Sequence, residues 1–164
     1  MSSFAGPLRV ELSRAKGVRA PSAGAIRAWA DAALGRRARG RELAVRIVGP
    51  RESRRLNARY RGRDEATNVL SFPTAEHLVR LAPDPTMKAA LGDLVLCSPV
   101  VAREARDQGK SLRAHWAHLI VHGTLHLVGY DHIEPHDARR MERREIAVLK
   151  QLGFANPYTY GSNA

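Results

Sequence analysis

The sequence predicts an α+β fold in which a four-stranded mixed sheet packs against about five helices. Short segments alternate in polarity or are rich in β-branched residues, which is typical of strands, and longer segments carry apolar residues at helical spacing. Ser, Pro and Gly residues stand at the boundaries between these segments. The chain has no internal repeat or linker-like segment, and 164 residues is a usual length for one domain. Residues 1–164 are therefore expected to form a single domain.

The four predicted strands are short and cover residues 8–12, 43–48, 68–72 and 91–98. The first alternates between apolar and charged side chains, as a half-exposed strand does, and the second is rich in β-branched residues. Pro73 directly follows the third strand. Because proline has no amide hydrogen to donate, it indicates an edge strand or the end of a strand.

The five predicted helices are one of about 16 residues that starts at Pro21 and Ser22, and four that cover residues 50–61, 99–108, 111–128 and 134–152. In the second of them, Leu56 and Tyr60 are expected to face inward. Arg51, Arg55 and Arg59 recur every four residues on another face of that helix. Residues 74–90 show no clear period and are expected to form a long loop.

The composition excludes several classes of protein. One cysteine rules out an intramolecular disulfide and any zinc site built from paired cysteines, and it fits a reducing compartment. No segment approaches the roughly 20 apolar residues that a membrane span needs. We therefore expect a cytoplasmic protein that does not enter a membrane.

The chain is strongly basic, with 27 Lys and Arg residues against 16 Asp and Glu and a net charge of +11. Residues 36–63 alone contain eleven arginines and only two acidic residues. Guanidinium groups pair with phosphate in a bidentate fork, so one interpretation is a surface that binds a polyanion. The alternative is a solvated face in an arginine-rich chain. The position of these arginines relative to a site decides between the two.

Histidines are concentrated in one predicted helix, residues 111–128, which is otherwise apolar on nearly every face and is therefore expected to be buried. His115, His118, His122 and His126 follow one another at steps of three and four residues and form a single stripe. Each imidazole in a buried helix needs a polar partner. Four of them on one stripe are hard to explain as ordinary core residues.

The spacing of three histidines predicts a metal site on this buried helix. His122 and His126, at positions i and i+4, can chelate one ion through their imidazole nitrogens. Gly129 can adopt a left-handed conformation that turns the chain back, so that His132 becomes the third ligand. His118 lies two turns from His126, about 12 Å along the axis, and cannot share an ion with it. Three ligands with an open fourth position indicate a catalytic zinc, one per chain.

The same ligand spacing occurs in metzincin peptidases, where a glutamate follows the first histidine and acts as the general base. Here that position is Gly123. A zinc peptidase without this carboxylate lacks the group that activates water against an amide bond. A metallopeptidase is therefore a disfavoured alternative.

Residues 122–132 read HGTLHLVGYDH, which closely resembles the hallmark H-G-x-L-H-L-x-G-Y-D-H of the YbeY family of bacterial rRNA maturation factors. Two further blocks agree with that family. They are the segment at residues 56–61 leading to residues 67–73, and residues 91–95. The blocks occur in the family's order, and the flanking elements also fit, so the resemblance covers nearly the whole chain.

The resemblance implies a zincin-like fold and a metal-dependent endoribonuclease specific for single-stranded RNA. It also implies a role in 3′-end maturation of small-subunit (16S) rRNA and in ribosome quality control, with the small subunit and its proteins as partners. The family's zinc ligands correspond to His122, His126 and His132. Its functionally important arginine is carried over to Arg59, which would face the metal cleft, with substrate-binding Arg55 and Arg51 extending the track.

The expected reaction is cleavage of a phosphodiester bond, in which zinc activates the nucleophile or polarises a phosphate oxygen. Arg59 would stabilise the negative charge of the transition state. Either water or the RNA 2′-hydroxyl can be the nucleophile, and His118 is a candidate general base. Asp131 either orients a ligand or caps a turn. A non-catalytic ribosome assembly factor with a structural zinc is the main alternative function.

Overall fold

The computed structural model describes residues 6–74 and 89–159. Its strands are β1 (Arg9–Arg14), β2 (Glu42–Val48), β3 (Val69–Pro73) and β4 (Ala90–Cys97). Its α-helices are α1 (Ala23–Leu34), α2 (Pro50–Arg61), α3 (Ser98–Asp107), α4 (Leu112–Leu127) and α5 (Pro135–Gln151), and a short 3-10 turn at Gly35–Ala38 follows α1. The predicted α+β class, with four strands and five helices in the described part of the chain, is confirmed.

The strands form one mixed sheet in the order β1-β2-β4-β3. β1, β2 and β4 are parallel, and β3 pairs antiparallel with β4. Pro73 indicated an edge strand or the end of a strand, and both are confirmed, since β3 is the last strand in the sheet order and Pro73 is its last residue. One edge of the sheet is therefore a short antiparallel strand, and it lies beside α4.

The two faces of the sheet contact different groups of apolar residues. Along β4, Leu94 and Leu96 belong to the main core, whereas Val95 and Cys97 belong to a smaller cluster on the other face. This follows from the alternation of side chains along a strand. The helices α1 and α4 contribute most of the helical side chains of the main core, among them Ile26, Trp29, Ala30, Trp116, Leu119, Ile120 and Leu125.

Helix α4 is buried on several sides, as its composition predicted. It contacts α1, α3, α5, β3 and β4. Ser111 caps its first turn by accepting a hydrogen bond from the amide of Ala114 at 3.1 Å. A cap of this kind contributes about 1 kcal/mol to helix stability. Surrounding elements therefore fix α4, and with it the histidine stripe, in one orientation.

Three expectations differ from the structure or lie outside it. Helix α1 is shorter than about 16 residues because it ends at Gly35, which has a φ of 59° and leads into the 3-10 turn. In α2 the buried residues are Ser53 and Asn57, while Leu56 is half-buried and Tyr60 is 50% exposed. The predicted loop at residues 74–90 lies largely outside the described residues. Within the described part of the chain, every helix is too short or too polar to cross a bilayer.

Candidate active site

Three histidines converge where α4 ends. His122 and His126 project from the last two turns of α4. The chain then reverses at Gly129, whose φ of 101° is costly for a residue with a side chain, and returns with His132. His122 and His126 are half-buried, and His132 is exposed. The turn expected at Gly129 therefore brings the third histidine to the other two.

The ring nitrogens of these histidines are spaced for a shared ion. One ligand atom from each of the three lies within 4.8 Å of the others. His132 Nδ1 is 3.1 Å from His126 Nε2. Zn–N bonds of about 2.0–2.1 Å in a tetrahedral site place ligand nitrogens about 3.3 Å apart. The three histidines expected to be ligands thus form a group that can hold a metal ion.

The remaining nitrogen of each helical ligand has an acceptor as its partner. His126 Nδ1 donates to the carbonyl of Tyr130 at 2.9 Å, and His122 Nδ1 donates to Glu145 Oε1 at 3.1 Å. Because both partners only accept, each ring carries its proton on Nδ1 and presents the Nε2 lone pair. Burial, and then the nearby His122 and His132, lower the pKa of His126, which favours the neutral form that binds metals.

Behind His122 lies a buried hydrogen-bond network centred on Glu145 of α5, whose exposed fraction is 0%. The carboxylate accepts from His122, from His118 Nε2 at 3.1 Å and from the Tyr158 hydroxyl at 2.6 Å. Burial alone raises the pKa of Glu145, but the hydrogen bonds from His118 and His122 outweigh it and lower the pKa to about 2. Glu145 is therefore ionised.

His118 belongs to this network and not to the metal group with His126. As expected from its two-turn separation, it is no ligand of that group. Among the described residues that line the adjoining cleft, His118 is absent. This candidate general base is instead hydrogen-bonded to Glu145 and Tyr158.

The histidine group opens into a cleft of about 590 Å³. The cleft is bounded by β3 on one side and by the turn at residues 129–132 on the other, and Arg61 is the arginine among its described lining residues. Arg61 Nη2 donates to the carbonyl of Ser71 at 2.8 Å, and its guanidinium lies 5.3 Å from the ring of Phe72. These contacts hold the positively charged side chain of Arg61 at the cleft.

Arg59 occupies a different face of α2. Its guanidinium is 5.3 Å from the ring of Tyr60, and it is absent from the described cleft lining. Residues two positions apart on an α-helix are separated by about 200° around its axis, so Arg59 and Arg61 point in nearly opposite directions. The expectation that Arg59 faces the metal cleft is not met, and Arg61 has that position. Arg51 and Arg55 are exposed on α2, as the four-residue spacing predicted.

Gly123 packs against the sheet. A Cβ atom at this position would lie 2.9 Å from Leu94 Cδ2 and 3.3 Å from Val69 Cγ2. A glutamate, the general base of metzincins, would therefore have to displace the buried Leu94 of β4 and the half-buried Val69 of β3. This packing adds a steric reason to the chemical one for disfavouring a peptidase.

Comparison with known proteins agrees with the geometry. A family model described as Endoribonuclease YbeY matches residues 18–153. The chain belongs to the YbeY endoribonuclease family. It is 48% identical over 157 residues to Endoribonuclease YbeY of Pseudomonas putida strain W619, covering 95% of this chain and 96% of that protein. It is 51% identical over 147 residues to the Methylococcus capsulatus protein of the same name, covering 90% and 93%.

The fold also resembles a solved structure. The solution structure of TM1509 from Thermotoga maritima matches with a TM-score of 0.54 and 22% identity, covering 89% of this chain and 91% of that one. At this identity the likeness supports the fold alone. Membership of the YbeY family makes the protein an endoribonuclease, a hydrolase that acts on RNA.

Three polar residues at or near the histidine group, namely Arg61, Glu145 and Tyr158, were not predicted from the sequence. Arg61 follows Asn57 and Ser53 at four-residue steps, and those two are the buried residues of α2. Recognising this polar face as the inner one would have placed Arg61 correctly. Glu145 and Tyr158 are far from the histidines in sequence, and no local pattern marks them.

Asp131 caps the turn before His132. Its Oδ1 accepts hydrogen bonds from the amides of His132 at 2.6 Å and Ile133 at 3.3 Å. Of the two roles that the sequence left open, the structure shows the capping one. Asp131 thereby fixes the backbone of the loop that carries the third histidine of the group.

Proposed function

We propose that the protein is a zinc-dependent endoribonuclease that cleaves single-stranded RNA and acts in 3′-end maturation of small-subunit (16S) rRNA and in ribosome quality control. The single observation that carries the chemistry is the group of three histidines at the floor of a cleft that also holds Arg61. The role in the ribosome, with the small subunit and its proteins as partners, follows from the resemblance of the histidine motif to its family.

The donor set favours zinc. Three imidazole nitrogens are typical ligands of a catalytic zinc, and they leave the side towards the cleft for substrate. His126 and His122 are fixed in the tautomer that such a site requires. When bound, zinc supplies Lewis-acid polarisation at the scissile phosphate, which is the chemistry that a phosphodiesterase needs.

Arg61 is assigned the charge-stabilising role that the sequence analysis gave to Arg59. A guanidinium has five N–H donors, and the bonds of Arg61 to the carbonyls of Tyr60 and Ser71 use two of them. The remaining donors can pair with a non-bridging phosphate oxygen in the cleft. Because the side chain is already anchored, little conformational freedom is lost when the charge of the transition state develops.

Preference for a single strand follows from the depth of the site. His122 and His126 are half-buried between β3 and the turn at residues 129–132, so a phosphodiester must enter the cleft to reach them. A flexible strand can splay its bases and lower its backbone into a cleft, whereas a duplex holds its backbone on a rigid helix. The arginines of α2 then bind the flanking phosphates.

The direct test of this proposal compares one RNA in two forms. Purified protein should cleave a single-stranded RNA that carries the 3′ end of precursor 16S rRNA, and annealing a complementary strand should suppress cleavage. A bacterium depleted of this protein should accumulate 16S rRNA with unprocessed 3′ ends. Equal cleavage of the duplex would contradict the strand preference, and normal 3′ ends in depleted cells would contradict the rRNA role.

The binding track on α2 has its own prediction. Replacing Arg51 and Arg55 together by alanine should reduce the slope of log affinity against log salt by about one to two units. Each phosphate neutralised on a single strand contributes a slope of about −0.7 through counterion release. The measurement is RNA binding by fluorescence anisotropy over a series of salt concentrations, with the metal site kept loaded.

A matched control removes the same charge elsewhere. Arg36 and Arg37 lie in the 3-10 turn before β2, whereas Arg51 and Arg55 lie on α2, which follows β2, so the two pairs belong to different elements. The Arg36→Ala, Arg37→Ala variant should keep the wild-type slope. Equal slopes in all three proteins would show that Arg51 and Arg55 belong to a solvated face.

A further inference from the structure

We infer that Glu145 is a positioning residue of the metal centre, which holds His122 in the ring orientation and tautomer that present Nε2 to the metal. The inference rests on the proposed function, since it presupposes that the three histidines bind a metal. Glu145 lies on α5, outside the histidine motif, and lines no part of the described cleft. It would act only through His122.

The contact between Glu145 and His122 is well defined. His122 Nδ1 is 3.1 Å from Oε1 and 3.3 Å from Oε2 of the carboxylate. A carboxylate behind a ligating imidazole fixes the ring, fixes the tautomer and raises the basicity of the nitrogen that binds the metal. His126 makes the equivalent contact with a neutral carbonyl, that of Tyr130. His122 is therefore the helical ligand whose outer partner carries a charge.

The burial of Glu145 needs an explanation that packing alone does not give. Its side chain is 1% exposed, and its hydrogen-bond partners are two imidazoles and one phenol. A buried carboxylate is costly unless a positive charge offsets it. A divalent cation bound to the far nitrogen of His122 would supply such a charge through the ring. The network is thus best matched to a loaded site.

Tyr158 and His118 hold the carboxylate in place. The Tyr158 hydroxyl donates to both oxygens, at 2.6 and 2.8 Å, and His118 Nε2 donates to Oε1 at 3.1 Å. Tyr158 lies beyond the end of α5, so the network joins α4, α5 and the segment that follows α5. The hydrogen bonds from Tyr158 and His118 fix the orientation of the Glu145 carboxylate, so its remaining lone pairs point towards His122.

The group of His118, His122 and Glu145 also has the spacing of a metal site. We favour the positioning role because His118 Nε2 and His122 Nδ1 are both already hydrogen-bonded to the Glu145 carboxylate. A cation placed there would also take the Nδ1 lone pair of His122 and leave its Nε2 protonated. That ring could then no longer serve the cleft. The two arrangements therefore predict opposite tautomers for His122.

The first experiment measures zinc affinity by competition with a chromophoric chelator at fixed pH. Glu145→Gln keeps the size of the side chain but removes the charge, and its amide can donate to His122 and allow the wrong tautomer. The dissociation constant for zinc should rise by about 10- to 100-fold. Tyr158→Phe leaves the Glu145–His122 contact in place and should have a much smaller effect.

Glu104→Gln is the matched control. Glu104 on α3 accepts a hydrogen bond from His115 Nε2 at 2.9 Å, so it forms the same kind of pair with the same helix but touches none of the three ligands. This variant should keep the wild-type affinity for zinc. Affinities that fall equally in Glu104→Gln and Glu145→Gln would reduce the role of Glu145 to stability and overturn the inference.

The second experiment begins with the wild-type protein, so its first result does not depend on the folding of a variant. Imidazole ¹⁵N chemical shifts of the metal-free wild-type protein report which nitrogen of His122 carries the proton. We expect Nδ1–H, and in Glu145→Gln a growing share of Nε2–H. A wild-type His122 protonated on Nε2, or a second zinc that Glu145→Gln removes, would overturn the positioning role. A wild-type protein that binds no zinc would overturn the proposed function itself.

Discussion

Replacing His132 by alanine is expected to remove the bound zinc and to abolish RNA cleavage, whereas replacing His118 leaves most of the zinc in place. His132 offers a nitrogen 3.1 Å from His126 Nε2 and is one of the three histidines that can hold a metal ion together. His118 hydrogen-bonds to Glu145 and Tyr158 in the neighbouring network. Loss of a ligand removes a metal bond directly, while loss of an outer partner weakens binding only in part.

The measurement is zinc content per chain after gel filtration, with the melting temperature of each metal-free variant as the control for folding. Wild type and His118→Ala should each retain about one zinc per chain, and His132→Ala should retain little. His132 is exposed, so its replacement leaves no buried cavity. A site emptied by His118→Ala and kept by His132→Ala would show that the other histidine group binds the metal.

Replacing Arg61 by alanine is expected to lower the rate of single-turnover cleavage at saturating RNA by about 10²- to 10³-fold. This is the usual scale for losing one preorganised donor that stabilises developing charge. Arg61→Lys should recover little, because an ammonium group does not reproduce the bidentate fork. Zinc content should stay unchanged, since the hydrogen bonds of Arg61 go to the backbone carbonyls of Tyr60 and Ser71.

Arg59→Ala is the matched variant, because it removes the same side chain from the same turn of α2 but from the opposite face. It should change cleavage much less than Arg61→Ala and act mainly through RNA affinity. A large loss in Arg59→Ala with wild-type rates in Arg61→Ala would restore the catalytic role to Arg59. Wild-type rates in both would favour a non-catalytic assembly factor in which the arginines only hold rRNA.

The order of strands and helices could be predicted because each element carries a local signal. Ser111 and Ser22 cap helices, Pro50 opens one, and Pro73 ends the edge strand. Such signals act within a few residues, so they fix the type of element and most of its bounds. The mixed pairing of the sheet depends on contacts distant in sequence.

The metal group was also predictable, for a geometric reason. His122 and His126 are one helical turn apart, and Gly129 permits the reversal that returns His132. All the ligands thus come from eleven consecutive residues, and local geometry nearly determines where they lie. Contacts between residues distant in sequence are needed only to bury α4.

The rest of the site depends on tertiary packing. Glu145 reaches His122 from α5 across 23 positions of sequence, and Tyr158 reaches His118 from the segment beyond α5 across 40 positions. The choice between Arg59 and Arg61 depended on which face of α2 meets the sheet. The buried residues of that face are the polar Ser53 and Asn57, which bind the backbone at Thr67 and Glu65. Apolar periodicity therefore could not identify it.

The claim that this endoribonuclease depends on its three-histidine metal centre is tested most directly by removing and restoring the metal. Purified protein is stripped with a chelator, assayed on a single-stranded RNA, reloaded with one equivalent of zinc and assayed again, with His126→Ala treated in parallel to reveal contaminating nucleases. We expect cleavage to disappear on stripping, to return with zinc in wild type, and to stay absent in His126→Ala throughout. Cleavage that persists undiminished in the stripped protein, or that is equal in His126→Ala, would contradict the account.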